Sequence, residues 1–112
     1  MPLNHLNLTV DDAEAAAHFL TTYFGMREMG RRNANFIFLT DENSMVLALM
    51  KGKDATYPAN FHIGFIQPDT AAVDAIHARL IADGFEADAP TQQHGYTFYI
   101  KAPGGFLVEC LA

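Results

Sequence analysis

The same order of predicted elements occurs twice along the chain, and this internal repeat constrains the fold more than any single motif does. Residues 1–50 begin with a strand-like alternation, continue with an amphipathic helix that ends at Gly25, and finish with three short strands. After a linker over residues 51–60, residues 61–112 repeat that order, and Gly84 ends the second helix. The sequence therefore predicts two βαβββ repeats. The alternative is that both halves only share a common amphipathic pattern.

The bounds of the predicted elements follow from apolar periodicity and from turn residues. Polar segments at 31–33 and 41–44 are predicted to be turns, and Gly104-Gly105 is predicted to be a hairpin turn. The predicted strands cover residues 3–10, 26–30, 36–39, 45–50, 61–67, 85–88, 96–101 and 105–111, and the predicted helices begin at Asp11 or Asp12 and at residues 68–70.

Aligning the two repeats pairs His5 with His62 in their first strands. In their last strands the alignment pairs Ala48 with Glu109. The two halves are thus predicted to be related, with a carboxylate in the second that the first lacks.

Composition fits one domain over residues 1–112, because half of the residues are hydrophobic and can form a packed core. The net charge of −6 argues against binding to nucleic acid or to an anionic membrane. A small molecule is therefore the expected partner. The start of the chain lacks the features of a signal peptide, and a single cysteine, Cys110, suits a reducing compartment, so we expect a cytoplasmic protein.

Glu109 lies in an apolar terminal strand, where an ionised carboxylate needs a cation or several hydrogen bonds. His5 and His62 lie in similarly apolar strands. Two imidazoles and one carboxylate form a ligand set that binds a divalent metal ion and leaves positions open for a substrate. We therefore expect these three side chains to meet at one metal ion. The alternative is that each histidine is an ordinary core residue and that Glu109 caps a sheet edge.

Three segments, Asn4–Val10, Phe61–Phe65 and Phe98–Glu109, together with the paired repeats, resemble the vicinal oxygen chelate superfamily. That superfamily includes glyoxalase I, extradiol dioxygenases, bleomycin-binding proteins and fosfomycin-modifying enzymes. The resemblance implies an α+β fold in which two βαβββ repeats form a curled, half-open mixed sheet around a cup. It also implies a homodimer, in which each site can be shared between chains, and it makes His5, His62 and Glu109 the metal ligands.

At position 48 this sequence departs from glyoxalase I. The resemblance to glyoxalase I would require a fourth metal ligand there, whereas this chain has Ala48. The three-ligand pattern is more similar to the extradiol dioxygenases and the fosfomycin enzymes. The run from Phe98 to Glu109 matches the later part of the extradiol signature and makes Tyr99 a candidate catalytic residue, because a phenol can donate a hydrogen bond to a developing oxyanion. The sequence favours equally the alternative that Tyr99 is an aromatic residue of the core. His94 stands too close to Tyr99 to fit the signature well as an acid–base catalyst.

The sequence therefore predicts a metal-dependent enzyme, similar to a small dioxygenase or lyase, that chelates two neighbouring oxygens of a small substrate on Fe, Mn, Ni or Zn. The alternative is a metal-free binding protein of the bleomycin-resistance type, and a weaker third is a regulatory module. Cys110 is expected to face away from the metal as a small buried hydrophobe. The residues predicted to contact the substrate are Asn7, Thr9, Ala48 and Thr97.

Overall fold

The computed structural model describes all residues, 1–112, and contains two helices and eight strands. The chain divides into two compact units. The first unit comprises Met1–Thr56 and Pro103–Gly105, and the second comprises Tyr57–Ala102 and Phe106–Ala112.

Each unit has the element order βαβββ, which confirms the predicted α+β fold and its repeat. The first unit contains β1 (His5–Val10), α1 (Ala13–Phe24), β2 (Arg27–Asn33), β3 (Phe36–Thr40) and β4 (Val46–Lys51). The second unit contains β5 (His62–Ile66), α2 (Thr70–Ala82), β6 (Thr91–Gln92), β7 (Tyr96–Ala102) and β8 (Phe106–Leu111).

Each unit has its own four-stranded mixed sheet, with strand order β1-β4-β3-β2 in the first and β5-β8-β7-β6 in the second. The first strand of each unit pairs in parallel with the last, and the remaining pairs are antiparallel. In β1 and β4, Asn7 lies opposite Ala48, and in β5 and β8, Gly64 lies opposite Glu109. This register confirms that Ala48 and Glu109 occupy equivalent places.

The helices begin where short acidic residues precede apolar periodicity. The carboxylate of Asp12 accepts a hydrogen bond from the backbone N–H of Ala15 at 3.0 Å, and Asp69 caps α2 in the same way. Gly25, with a φ of 70°, ends α1 in the left-handed conformation that favours glycine. Asp83 is the cap residue of α2, and the predicted Gly84 follows it at a φ of 93°, a left-handed conformation that ends the helix.

Two predicted elements of the strand pattern were wrong. The segment at 31–33 is part of β2, and the turn lies after it, where the backbone N–H of Asn35 donates to the side chain of Asn33. The predicted strand at 85–88 does not form, and β6 starts only after Pro90, which has no N–H to donate to a strand ladder. Phe85 and Ala87 are nevertheless half-buried between exposed neighbours, so the alternation in that segment reflects burial without strand pairing.

The core of each unit lies between its helix and one face of its sheet. In the first unit α1 buries six side chains, whereas α2 of the second buries Val73 and Leu80. Neither helix is long and apolar enough to cross a membrane. The buried side chains that α1 contributes are Ala13, Ala16, Ala17, Phe19, Leu20 and Tyr23.

Candidate functional site

Glu109 lies in the middle of β8 and is 5% exposed. Strand alternation places it on the face opposite Val108 and Cys110, both of which are fully buried. Cys110 is a free thiol, and burial, followed by the negative charge of Glu109, raises its pKa to about 11. The thiol therefore stays protonated at neutral pH and behaves as the predicted small hydrophobe.

The Oε1 atom of Glu109 is held by two side chains of the second unit. The Nε2 atom of His94 lies 2.5 Å from Oε1, and the hydroxyl of Thr97 donates to the same oxygen at 2.8 Å. The hydroxyl of Tyr99, which lies directly opposite in the ladder, also hydrogen-bonds the carboxylate. We call the group formed by Glu109, His62, His94, Thr97 and Tyr99 the Glu109 cluster.

The second oxygen, Oε2, faces His62, whose Nε2 atom lies 3.1 Å away. The other ring nitrogen of His62, Nδ1, lies 2.9 Å from the carbonyl oxygen of Asn60. A carbonyl oxygen only accepts hydrogen bonds, so Nδ1 carries a hydrogen. The Nε2 atom therefore either carries a second proton or directs its lone pair towards the negatively charged Oε2. In the second case, a cation bound between Nε2 and Oε2 would stabilise the pair.

The contacts keep Glu109 ionised. Burial alone raises the pKa of Glu109, but hydrogen bonds from Thr97 and His94 outweigh that effect. A hydrogen bond from Tyr99 and the charge of His94 act in the same direction, so the pKa of Glu109 lies below the usual value for glutamate. Burial, the hydrogen bond to Glu109 and its negative charge raise the pKa of Tyr99, which keeps the phenol protonated at neutral pH.

The donor atoms of His62 and Glu109 suit a divalent metal ion. Two ligand atoms that bind one ion at about 2.1 Å and at a right angle lie about 3 Å apart, close to the separation of Nε2 and Oε2. A metal-bound histidine usually donates its other N–H to a carbonyl or a carboxylate, as His62 does to Asn60. The pair therefore fits two ligands of a metal site. No group of three or more His, Cys, Asp or Glu side chains is arranged in the chain as it would be around a metal ion.

The other predicted site residues belong to the first unit. His5 is exposed in β1, and its Nδ1 atom lies 3.0 Å from the side-chain oxygen of Asn4. Asn7 and Thr9 are exposed in the same strand, and Ala48 is 5% exposed in β4.

Of the predicted site residues in the second unit, the structure brings together His62, Glu109, Tyr99 and Thr97. Thr97 is 1% exposed and its hydroxyl contacts Glu109, so it acts on the site through that carboxylate. Sequence reasoning left the role of His94 open. No periodic pattern could place this side chain, because it lies in the turn between β6 and β7.

Two cavities of the second unit meet at Tyr99 and Leu107. One, of about 280 Å³, is also lined by His62, Asn60 and Ala59. The other, of about 700 Å³, extends along the unpaired side of β7. The larger cavity alone lies within the size range of small-molecule sites. The remaining lining residues of the larger cavity are Ile81, Phe85, Glu86, Ala87, Asp88, Ile100 and Lys101.

Comparisons with known proteins agree with the predicted family. The sequence model of the Glyoxalase/Bleomycin resistance protein/Dioxygenase superfamily matches residues 2–110. The solved structure of a possible glyoxalase from Bacillus cereus is 46% identical with a TM-score of 0.96, covering 100% of this chain and 99% of the other. The uncharacterized protein PA2024 of Pseudomonas aeruginosa is 30% identical over 96% of this chain and 85% of its own length.

A more distant solved structure shares the fold. The fosfomycin resistance protein FosX of Listeria monocytogenes, solved with Mn(II) and a sulfate ion, has a TM-score of 0.82 and 23% identity. The match covers 99% of this chain and 89% of that chain.

Proposed function

Because the chain belongs to the Glyoxalase/Bleomycin resistance protein/Dioxygenase superfamily, we propose that it is a metal-dependent enzyme that binds two neighbouring oxygens of a small substrate. The observation that carries this proposal is the pairing of His62 and Glu109, with Nε2 and Oε2 3.1 Å apart and Nδ1 bonded to a backbone carbonyl. The proposed metal ligands are His62, Glu109 and His5.

The bound metal would supply Lewis-acid chemistry, polarising the neighbouring oxygens of the substrate. Fe, Mn, Ni and Zn all accept imidazole nitrogen, and the resemblance to a protein solved with Mn(II) makes Mn a suitable first probe. Glu109, kept ionised by its hydrogen bonds, contributes the negative charge that a divalent ion requires. His62 contributes a neutral nitrogen oriented by Asn60.

Tyr99 is the proposed catalytic residue. Its ring packs edge-on against His62 at 5.4 Å between centroids, and its side chain lines both cavities of the second unit. The raised pKa of Tyr99 keeps its hydroxyl a donor at neutral pH. A substrate oxygen in the smaller cavity would compete with Glu109 for that hydrogen, and the hydrogen bond would stabilise negative charge developing on the oxygen.

The other residues predicted to contact the substrate are given the following roles. Asn7, Thr9 and Ala48 are proposed to line the substrate side contributed by the first unit, and Thr97 is proposed to hold Glu109 in place. We also propose that the protein is a homodimer. In a homodimer, the His5 that completes each metal site can belong to the same chain as Glu109 or to the partner chain.

Metal content tests the proposal. Protein purified without chelators or an affinity tag should bind stoichiometric Mn(II), Fe(II), Ni(II) or Zn(II) when each is offered alone, as measured by mass spectrometry after gel filtration. His62→Ala and Glu109→Ala should lose the ion, because each removes one of two converging ligands. His18→Ala, which removes an exposed histidine of α1, should keep it. Wild type that stays empty with all four ions would overturn the metal site and favour a metal-free binding protein.

Mixing two defective chains locates His5. If sites are shared, dimers formed from His5→Ala and Glu109→Ala chains regain one intact site, because the Glu109→Ala chain supplies His5 and the His5→Ala chain supplies Glu109. If each site lies within one chain, the mixed dimers regain none. A His5→Ala protein that binds metal as tightly as wild type would remove His5 from the ligand set.

A further inference from the structure

His94 makes a 2.5 Å contact with Oε1 of Glu109, although it lies outside the regular strands. Its side chain is 53% exposed, whereas the side chain of Glu109 is 6% exposed. A solvent-facing imidazole therefore reaches inward to a nearly inaccessible carboxylate.

The hydrogen that His94 donates to Oε1 is not shared with a second acceptor. The hydroxyl of Thr97 has one hydrogen and two acceptors within reach, Oε1 of Glu109 at 2.8 Å and the carbonyl oxygen of Cys110 at 3.1 Å. The Nε2 hydrogen of His94 is directed to Oε1. Both hydrogen bonds reach an ionised carboxylate, whose charge strengthens them. The hydrogen of His94 is not shared with the Cys110 carbonyl, so the His94 contact is a separate restraint on the orientation of the carboxylate.

The turn that carries His94 is itself held in place. The backbone N–H of Gln93 donates to the carbonyl of Gly95 at 2.8 Å, and Tyr96 exchanges two backbone hydrogen bonds with Ala112 at 2.8 and 3.0 Å. A Cβ atom at Gly95 would lie 3.0 Å from the carbonyl oxygen of Ala112, so only glycine packs here without a shift. The anchored turn fixes the direction from which His94 approaches Glu109.

We propose that His94 is a positioning residue, which holds Oε1 so that Oε2 is the oxygen turned towards His62 and open to a metal ion. The proposal rests on the proposed function, since it states what orients a ligand of that site. Without His94, the carboxylate keeps the shared hydrogen of Thr97, the hydroxyl of Tyr99 and the contact of Oε2 with His62. It loses the donor that holds Oε1, so it is freer to rotate away from His62.

Mn(II) binding, followed by electron paramagnetic resonance of the free ion, measures this effect. His94→Ala should bind Mn(II) about 10- to 100-fold more weakly than wild type, the usual effect of removing a partner that orients a metal ligand. His94→Gln should recover most of the affinity, because its amide N–H can donate to Oε1. The matched control His18→Ala should bind like wild type. A His94→Ala protein with unchanged affinity would overturn the proposal, and one as defective as His62→Ala would show a metal ligand instead.

Crystal structures of metal-free wild type and His94→Ala give a readout that needs no metal. Oε2 of Glu109 should face His62 in wild type, and the carboxylate should turn away or occupy several orientations in His94→Ala. An unchanged Glu109 in that variant would overturn the positioning role. If wild type binds no metal, the proposed function fails, and the two crystal structures alone decide the role of His94.

Discussion

The two units share one strand arrangement, yet only the second places a carboxylate at its centre. In the first unit Asn7 and Phe38 lie beside Ala48, and in the second Gly64 and Tyr99 lie beside Glu109. The equivalent pairs are His5 and His62, Asn7 and Gly64, Phe38 and Tyr99, and Ala48 and Glu109.

The difference between the units shows which neighbouring side chains a buried carboxylate requires. The methyl group of Ala48 needs no hydrogen bonds, and a phenyl ring opposite it is sufficient. Glu109 has a phenol opposite it and two further donors on Oε1, and no buried side-chain polar atom of the chain is left without a partner. The same fold therefore tolerates charge only where the neighbouring side chains supply donors.

The largest expected effect comes from giving the first unit the missing carboxylate. Ala48→Glu should destabilise the protein by about 3–5 kcal/mol, because the new charge is buried opposite the phenyl ring of Phe38 and lacks the phenol that Tyr99 gives to Glu109. Adding Phe38→Tyr should recover about 1–2 kcal/mol by supplying the phenol that Tyr99 gives to Glu109. Urea unfolding at pH 7 measures both changes. An Ala48→Glu protein as stable as wild type would show that the first unit already contains the missing partners.

Removing the charge from the second unit should have a smaller, pH-dependent effect. Glu109→Gln should cost about 1–3 kcal/mol at pH 7, because the amide presents a donor to other donors. The pKa of Glu109 is lower in the folded state than in the unfolded chain, so its contribution to stability is present above the usual glutamate pKa of about 4.3 and is lost as the pH falls through the folded value.

Denaturant unfolding of wild type and Glu109→Gln at pH 7 and pH 3 tests this dependence. His62, His94 and Tyr99 face the carboxylate in both proteins, so the difference in the free energy of unfolding isolates Glu109. The difference should shrink at the lower pH. A difference that grows on acidification would contradict an ionised Glu109.

Removing the phenol should have a still smaller effect. Tyr99→Phe copies the first unit and deletes one hydrogen bond to Glu109, which should cost about 1 kcal/mol in thermal or urea unfolding. The reverse change, Phe38→Tyr alone, is the matched control and should not stabilise the protein, because it adds a hydroxyl opposite a methyl group. Equal effects of the two changes would contradict the difference between the units.

The smallest effect is expected at Gly64. A Cβ atom there would lie 3.8 Å from Oε2 of Glu109 and 3.9 Å from Leu111, which are ordinary contacts. Gly64→Ala should therefore change the free energy of unfolding by less than about 0.5 kcal/mol. Gly25→Ala, at a φ of 70°, should cost about 1 kcal/mol in the same measurement. A strongly destabilised Gly64→Ala protein would contradict the ordinary packing expected for a Cβ atom at this position.

The repeat and most elements could be predicted from the sequence, because apolar alternation, acidic caps and glycine at helix ends act locally. The polar segment of β2 could not be predicted as a strand, since an exposed edge strand carries the same charged residues that are typical of turns. In the structure, Arg31 of this strand pairs with Glu28 and with Glu14 of α1. The proximity of His62, Tyr99 and Glu109 was predictable, because it follows strand register. His94 was not, because its contact depends on how one turn is anchored.

Anomalous scattering of crystals grown with Mn(II) tests the proposed metal site most directly. We expect one peak per site next to Oε2 of Glu109 and Nε2 of His62, with Oε1 still bonded to His94. We expect His5 of the same or the partner chain to be the third protein ligand. The absence of a peak at Glu109, or a peak that contacts neither Glu109 nor His62, would contradict the proposed metal site.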